Sequence, residues 1–131
     1  MNPLTITFDA PAPALNMNHR GWRVRWRLTE AWREATWAAA VQIPARDRKR
    51  PASWVTVVLP VPDRRRRDPH NLTPTLKAIV DGLVDAGLWP DDTPEFVTTT
   101  EPVLDVQRPR RRGDRGVVTV LVRDRDGQVP T

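Results

Sequence analysis

The chain has 131 residues, enough for one domain with a single core and too few for two. Its 21 Lys and Arg against 16 Asp and Glu give a formal net charge of +5, a balance that favours a nucleic-acid partner over an acidic small molecule. The absence of cysteine excludes disulfides, thiolate metal sites and cysteine nucleophiles. No apolar run reaches membrane-spanning length and the N-terminus lacks a signal-peptide layout, so a cytoplasmic protein with no membrane partner is expected.

Leu4 to Phe8 alternates apolar and polar side chains and predicts a half-buried first strand. Pro11 and Pro13 end it, and Asn16 to Gly21 reads as a loop carrying His19 and Arg20. Trp22-Arg23-Val24-Arg25-Trp26 alternates again and predicts a short second strand or hairpin arm, its arginine face either meeting phosphates or simply solvated. From Thr29, read as an N-cap, the spacing becomes helical: Ala31, Trp32, Ala35, Ala38, Ala39 and Gln42 share one broad face, and the helix ends before Pro44. Trp37 and Val41 lie off that stripe.

Ala45 to Arg50 reads as a charged loop, and Trp54 to Leu59 is a β-branched apolar run suited to a central strand that Pro60 and Pro62 terminate. After the run Arg64-Arg65-Arg66-Arg67, a second helix carries three boundary signals: Thr73 as N-cap, Pro74 at the first helical position and Gly87 as the left-handed stop. Leu76, Ile79, Val80, Leu83 and Ala86 face the core, with Lys77, Asp81 and Asp85 on the opposite face. Glu95 to Thr100 and Val103 to Val106 predict strand segments around Pro102, Arg108 to Gly113 a basic loop, and Val117 to Val122 a final strand. The tail after Asp124 is expected to fray. The sum is one α+β domain over 1–131, with a small mixed β-sheet of about four to five strands packed against two main helices.

Chemistry concentrates between Arg64 and Asp92. Asp68, Asp91 and Asp92 are hard oxygen donors of the kind Mg²⁺ takes, usually one or two from protein with water and phosphate completing the shell. Each also reads as an ordinary turn residue, in Asp68-Pro69 and Pro90-Asp91-Asp92. Lys77, with Lys49 one of only two lysines, either steadies a phosphate oxygen or pairs with Asp81 four residues on. His70, like His19, reads as a ligand, a phosphate contact or an exposed loop residue. The clusters Arg64 to Arg67 and Arg110 to Arg112, with His19 and Arg20, are the candidate DNA contacts. A helix of about 13 residues is roughly 20 Å long. Asp68 and Asp92 therefore meet only if flanking loops fold back or if a symmetric dimer joins two sites.

The segment Arg66-Arg67-Asp68-Pro69-His70-Asn71, Lys77, Asp81-Gly82-Leu83, Ala86-Gly87-Leu88-Trp89 and Asp91-Asp92 resembles the RusA family of Holliday-junction resolvases. The diagnostic residues span about Arg66 to Asp92, and the order of elements is similar over most of the chain. The resemblance implies a RusA-like homodimer that recognises four-way DNA junctions and nicks paired strands with Mg²⁺ or Mn²⁺. It places the catalytic roles on Asp68, Lys77 and Asp92, with Asp91 and His70 beside the metal. Two departures stand out. His70 occupies the position of an expected second carboxylate, which makes the site less negative, and the interval from Asn71 to Lys77 is a few residues longer than in the family. A branched-DNA-binding protein without cleavage is the alternative.

Overall fold

A computed structural model describes residues 1–17 and 21–125. In chain order the elements are β1 (Leu4–Asp9), α1 (Trp22–Ala40), a single turn α2 (Ala45–Arg48), β2 (Ser53–Val61), a 3-10 turn (Pro69–Leu72), α3 (Thr73–Asp85), β3 (Val97–Thr99), β4 (Val103–Val106) and β5 (Val117–Asp124). They form the expected α+β domain, a five-stranded mixed sheet with two main helices. No described helix is long and apolar enough to cross a membrane.

The sheet is built around β2. β5 inserts between β1 and β2 and runs antiparallel to both, with Ile6 opposite Val120 and Val57 opposite the same residue. The other edge of β2 takes two short parallel partners in succession, β3 from Ser53 to Val55 and β4 from Val58 to Val61. Along β2 every second residue is buried, from Ser53 through Val55, Val57 and Leu59 to Val61. Val118, Val120 and Val122 of β5 bury on the same side, facing Ile79, Leu83 and Trp32 of the helices. Pro60 does not end the strand: pairing with β5 stops at Val58, so Pro60 has one neighbour only and its missing N–H breaks no second ladder.

α1 starts earlier than its sequence pattern predicts. The Trp22-to-Trp26 segment is helical, with the Arg25 N–H bonded to Gly21 O at 3.0 Å. Trp22 to Arg27 are all exposed, so the alternation there marks no half-buried face, and no strand among the described residues pairs with it. Thr29 is accordingly inside the helix rather than capping it, its hydroxyl donating to Arg25 O at 2.7 Å. The buried stripe is Trp32, Thr36 and Ala40, whereas Ala38 and Gln42 face solvent. The charged loop after Pro44 contains the one-turn α2. Beyond Asp124, Arg125 is buried and bonded instead of frayed; 126–131, and His19 and Arg20 in the first loop, lie outside the described residues.

α1 crosses α3 at Gly82. A Cβ there would stand 2.5 Å from the Arg33 carbonyl oxygen and 2.8 Å from Thr36 Cβ. Gly82→Ala gains about 1 kcal/mol of helix propensity. Because the obstacle is backbone, overpacking of about 1–3 kcal/mol outweighs that gain. The expected result is a lower urea midpoint with an unchanged slope; an unchanged or higher midpoint contradicts so close a crossing.

Candidate functional site

The approach to α3 is held by local bonds. Arg67 turns back on its own segment, its Nη1 donating to the carbonyls of Asp63 and Arg65 at 2.9 Å each and its Nη2 to Asp63 Oδ1 at 2.9 Å. The Arg65 N–H, then the Arg67 guanidinium, hold the Asp63 carboxyl below its ordinary range. This fold leaves Arg64, Arg65 and Arg66 exposed. Asp68 follows in extended conformation and caps the 3-10 turn, accepting the His70 N–H at 3.0 Å, with Pro69 in the first turn. Thr73 donates its hydroxyl to His70 O at 2.7 Å, which joins the 3-10 turn to α3. Thr73 is thus the first residue of α3, not its cap.

The loop after β1 packs against this entry. Met17 N–H bonds Asn71 O at 2.9 Å, the buried Thr75 hydroxyl donates to Leu15 O at 2.6 Å, and Trp32 Nε1 donates to Pro13 O at 3.0 Å. Between this loop, the end of β2 and the arginine segment lies a cleft of about 610 Å³, lined in part by Asn16, Arg66, Arg67, Asp68, Asn71 and Arg115. The His70 residue is exposed at its side.

Lys77 and Asp92 meet in a second, smaller depression of about 180 Å³, lined by Thr73, Leu76, Lys77, Val80, Asp92, Val97 and Thr99. Lys77 Nζ donates to Asp92 Oδ2 and, at 2.9 Å, to Asp81 Oδ1. The return of Asp92 has a local cause. Gly87 takes φ 94°, Leu88 and Trp89 bury, and Trp89 Nε1 donates to Pro51 O at 3.1 Å and Ser53 Oγ at 3.3 Å. The chain is thereby turned back along α3 before β3 begins, and Asp91 Oδ1 accepts the Asp92 N–H at 2.7 Å. The hydrogen bond to Asp92, helped by Asp81 and opposed by burial, raises the Lys77 pKa; Lys77 in turn holds the Asp92 carboxyl below its ordinary range. Asp85, the third member of the predicted polar face, instead pairs with Arg33 of α1 at 2.5 Å and 2.8 Å.

The third basic cluster is a loop with a fixed base. Gln107 acts like a strand residue, accepting the Val117 N–H at 2.7 Å and donating to Val117 O at 2.9 Å. Asp114 accepts from the N–H groups of Arg110 at 3.1 Å and Gly116 at 3.0 Å, which hold its carboxyl below the ordinary range. Arg110, Arg111 and Arg112 are exposed at the tip.

The structure therefore brings Asp92 back to Lys77 within one chain but leaves Asp68 at the larger cleft and His70 exposed, neither of them lining the Lys77–Asp92 depression. Among the described residues no group of three or more His, Cys, Asp or Glu side chains is placed to hold a metal ion. The adjacent carboxylates of Asp91 and Asp92 still match the one or two that Mg²⁺ takes when phosphate and water supply the rest. They do not form a preformed cage, and Asp92 is engaged by Lys77.

Arg125 and Arg50 are the residues that sequence reasoning missed. The buried Arg125 guanidinium donates to Pro94 O at 2.9 Å and Glu95 O at 2.7 Å, as well as to Thr98, and so holds the turn that follows Asp92. Arg50, also buried, reaches Asn2 O and Asp124. In sequence Arg50 reads as the end of a charged loop and Arg125 as part of a polar tail expected to fray. The sequence matches no protein-family model, and no curated protein matches it.

Two variants separate these roles. Arg125→Met removes a buried guanidinium together with the donors to Pro94 O and Glu95 O and is expected to lower stability by about 1–3 kcal/mol in urea unfolding. Lys77→Met removes a largely exposed ion pair and is expected to cost no more than about 1 kcal/mol. Asp92, depressed, contributes above its ordinary value of 3.8 and loses that contribution as pH falls through the lowered folded value. Lys77, raised, contributes below 10.5 and loses it as pH rises through the folded value. The wild-type minus Lys77→Met difference should therefore be flat across the middle of the pH range and shrink at both extremes.

Proposed function

We propose that this protein is a metal-dependent endonuclease that nicks branched DNA, Holliday junctions in particular, in the manner of the RusA family that its Arg66-to-Asp92 segment resembles. The observation that carries the reading is the contact of Lys77 with Asp92, two residues that lie 15 apart in sequence and meet only because the chain reverses after α3. A helix-borne cation meeting an acid of the following loop, in a chain that also carries exposed arginine clusters, is an arrangement suited to a phosphodiester.

In this reading the exposed Arg64, Arg65 and Arg66 and the Arg110-to-Arg112 loop hold the phosphate backbone, with His19 and Arg20 in the first loop as further contacts. Asp91 and Asp92 would hold Mg²⁺, or Mn²⁺ in its place, and the resemblance assigns Asp68 and His70 to the same ion. When bound, the ion supplies Lewis-acid charge and a water of lowered pKa. Lys77 is kept protonated by Asp92 and Asp81 and can pass one of its donors from Asp92 to a phosphate oxygen while retaining Asp81. Paired nicks across a junction call for two sites related by symmetry, hence a homodimer.

A second reading, a branched-DNA-binding protein without cleavage, is favoured by one observation. Asp68 is engaged as a cap and His70 stands where the resemblance expects a carboxylate, so the donor set within one chain is sparse.

The deciding experiment is incubation of an end-labelled four-way junction and a matched linear duplex with the protein in Mg²⁺, Mn²⁺ and EDTA. Symmetric nicks in the junction alone, absent with EDTA, are expected. Asp92→Asn should abolish them, a loss of at least about 10²-fold, while junction affinity stays near wild type. Tight binding without product in either metal would favour the second reading, and normal cutting by Asp92→Asn would overturn the site. Binding should also weaken steeply with salt. Replacing Arg110, Arg111 and Arg112 by Ala should reduce the log–log salt slope by roughly 0.9 for each phosphate that the loop no longer neutralises.

A further inference from the structure

The first two turns of α1 do nothing for the core. Trp22 is 72 % and Trp26 63 % exposed, Val24 is also exposed, and burial on this helix begins only at Trp32. Two bare indoles on a small domain are unusual for a solvated surface, where large apolar groups gather chiefly at binding sites. Their setting indicates what they meet. From Trp22 to Arg27 the residues alternate with Arg23, Arg25 and Arg27 and include no acid. The Arg23 guanidinium lies 5.3 Å from the Trp22 ring centroid, on a face of the ring, and so holds the indole in place.

Building on the nuclease reading, we propose that this projecting start of α1 is a stacking platform for unpaired bases, the kind exposed where a branched DNA opens at its crossing point. Trp22 and Trp26 are one turn apart on the same side of the helix, separated by about 6 Å along its axis. The two exposed indoles thus stand on one side of the helix, where each offers an aromatic surface on which an unpaired base can stack. The interleaved arginines supply the charge complement for the adjoining phosphates, the combination that recurs in single-strand binders.

A second copy of this chain is the competing occupant. Charge argues against it: a two-fold contact through this segment would bring the Arg23, Arg25 and Arg27 of both copies together with no acid in the segment to offset them. Trp37, also partly exposed, does not extend the platform, because the Arg33 pair with Asp85 lies between it and Trp26.

The test uses the full chain, wild type and the double variant Trp22→Ala with Trp26→Ala, whose exposed positions leave the core intact. Binding is measured by anisotropy to a single-stranded oligonucleotide, a linear duplex and a four-way junction, the last also carrying 2-aminopurine at the branch. The expected result is a loss of roughly tenfold or more for the single strand and the junction. Duplex affinity should be unchanged, and the branch quenching seen with wild type should disappear. Trp22→Phe with Trp26→Phe should restore most of the affinity. Equal binding by wild type and the alanine variant overturns the platform while leaving the nuclease reading to the cleavage assay. A change of the alanine variant to a smaller species in sedimentation overturns it in favour of an interface between copies. Wild type that binds single strands through these indoles but never cuts junctions keeps the platform and removes the nuclease, and wild type that binds no DNA overturns both.

Discussion

To add β3 to the central strand, the chain must reverse direction over the length of α3, and the burial of Leu88 and Trp89 makes it do so. The left-handed Gly87 gives the turn, and the fully buried side chains that follow give it a destination. Trp89 contributes both ways, because its large apolar body fills the core while its N–H satisfies the polar start of β2. That anchor starts the return path, which Arg125 then holds at Pro94 and Glu95 and pairing with β2 holds from Val97 to Thr99. The Lys77–Asp92 contact is a consequence of it and, being largely exposed, contributes little to holding it.

The arginines divide into two populations that composition alone cannot separate. Arg33, Arg50, Arg67 and Arg125 are turned inward or sideways onto carbonyls and carboxylates and hold segments together. Arg64 to Arg66 and Arg110 to Arg112 stay in solvent, on loops whose shapes are set by Asp63 and Asp114. Each loop thus uses one acid to organise its backbone and leaves its guanidinium groups outward. A planar fork that can donate to several carbonyls at once suits Arg to the first task as well as the second. Even so, the Nε atoms of the buried Arg50 and Arg125 find no partner among the described residues.

Much of the fold was legible in the residues. β1, β2, β5 and α3 declare themselves through period-two burial or a helix framed by Pro74 and Gly87, because in these segments local pattern and tertiary environment agree. At Trp22 to Trp26 alternation predicts a strand with one apolar side, but neither side of this segment is buried, so its period carries no information about a core. The limits of the candidate site have a different origin. That Lys77 lies on the polar face of α3 follows from spacing four, but that Asp92 reaches it depends on where Trp89 docks, and docking partners at Pro51 and Ser53 leave no periodic trace. Arg125 was illegible for the same reason: bonds to Pro94 and Glu95 involve backbone carbonyls, which every sequence has.

The position of β5 bears on how the protein is made. It is the last strand in the sequence, yet it lies between the first and the second. As the chain emerges from the ribosome, β1 therefore has no hydrogen-bonding neighbour until every other described strand of the sheet has been synthesised, and one edge of β2 stays bare for as long. The sheet cannot grow strand by strand from the N-terminus; its centre closes in one late, long-range event. Such a topology delays closure of the sheet until β5 has emerged and leaves unpaired strand edges exposed to other nascent chains in the interval.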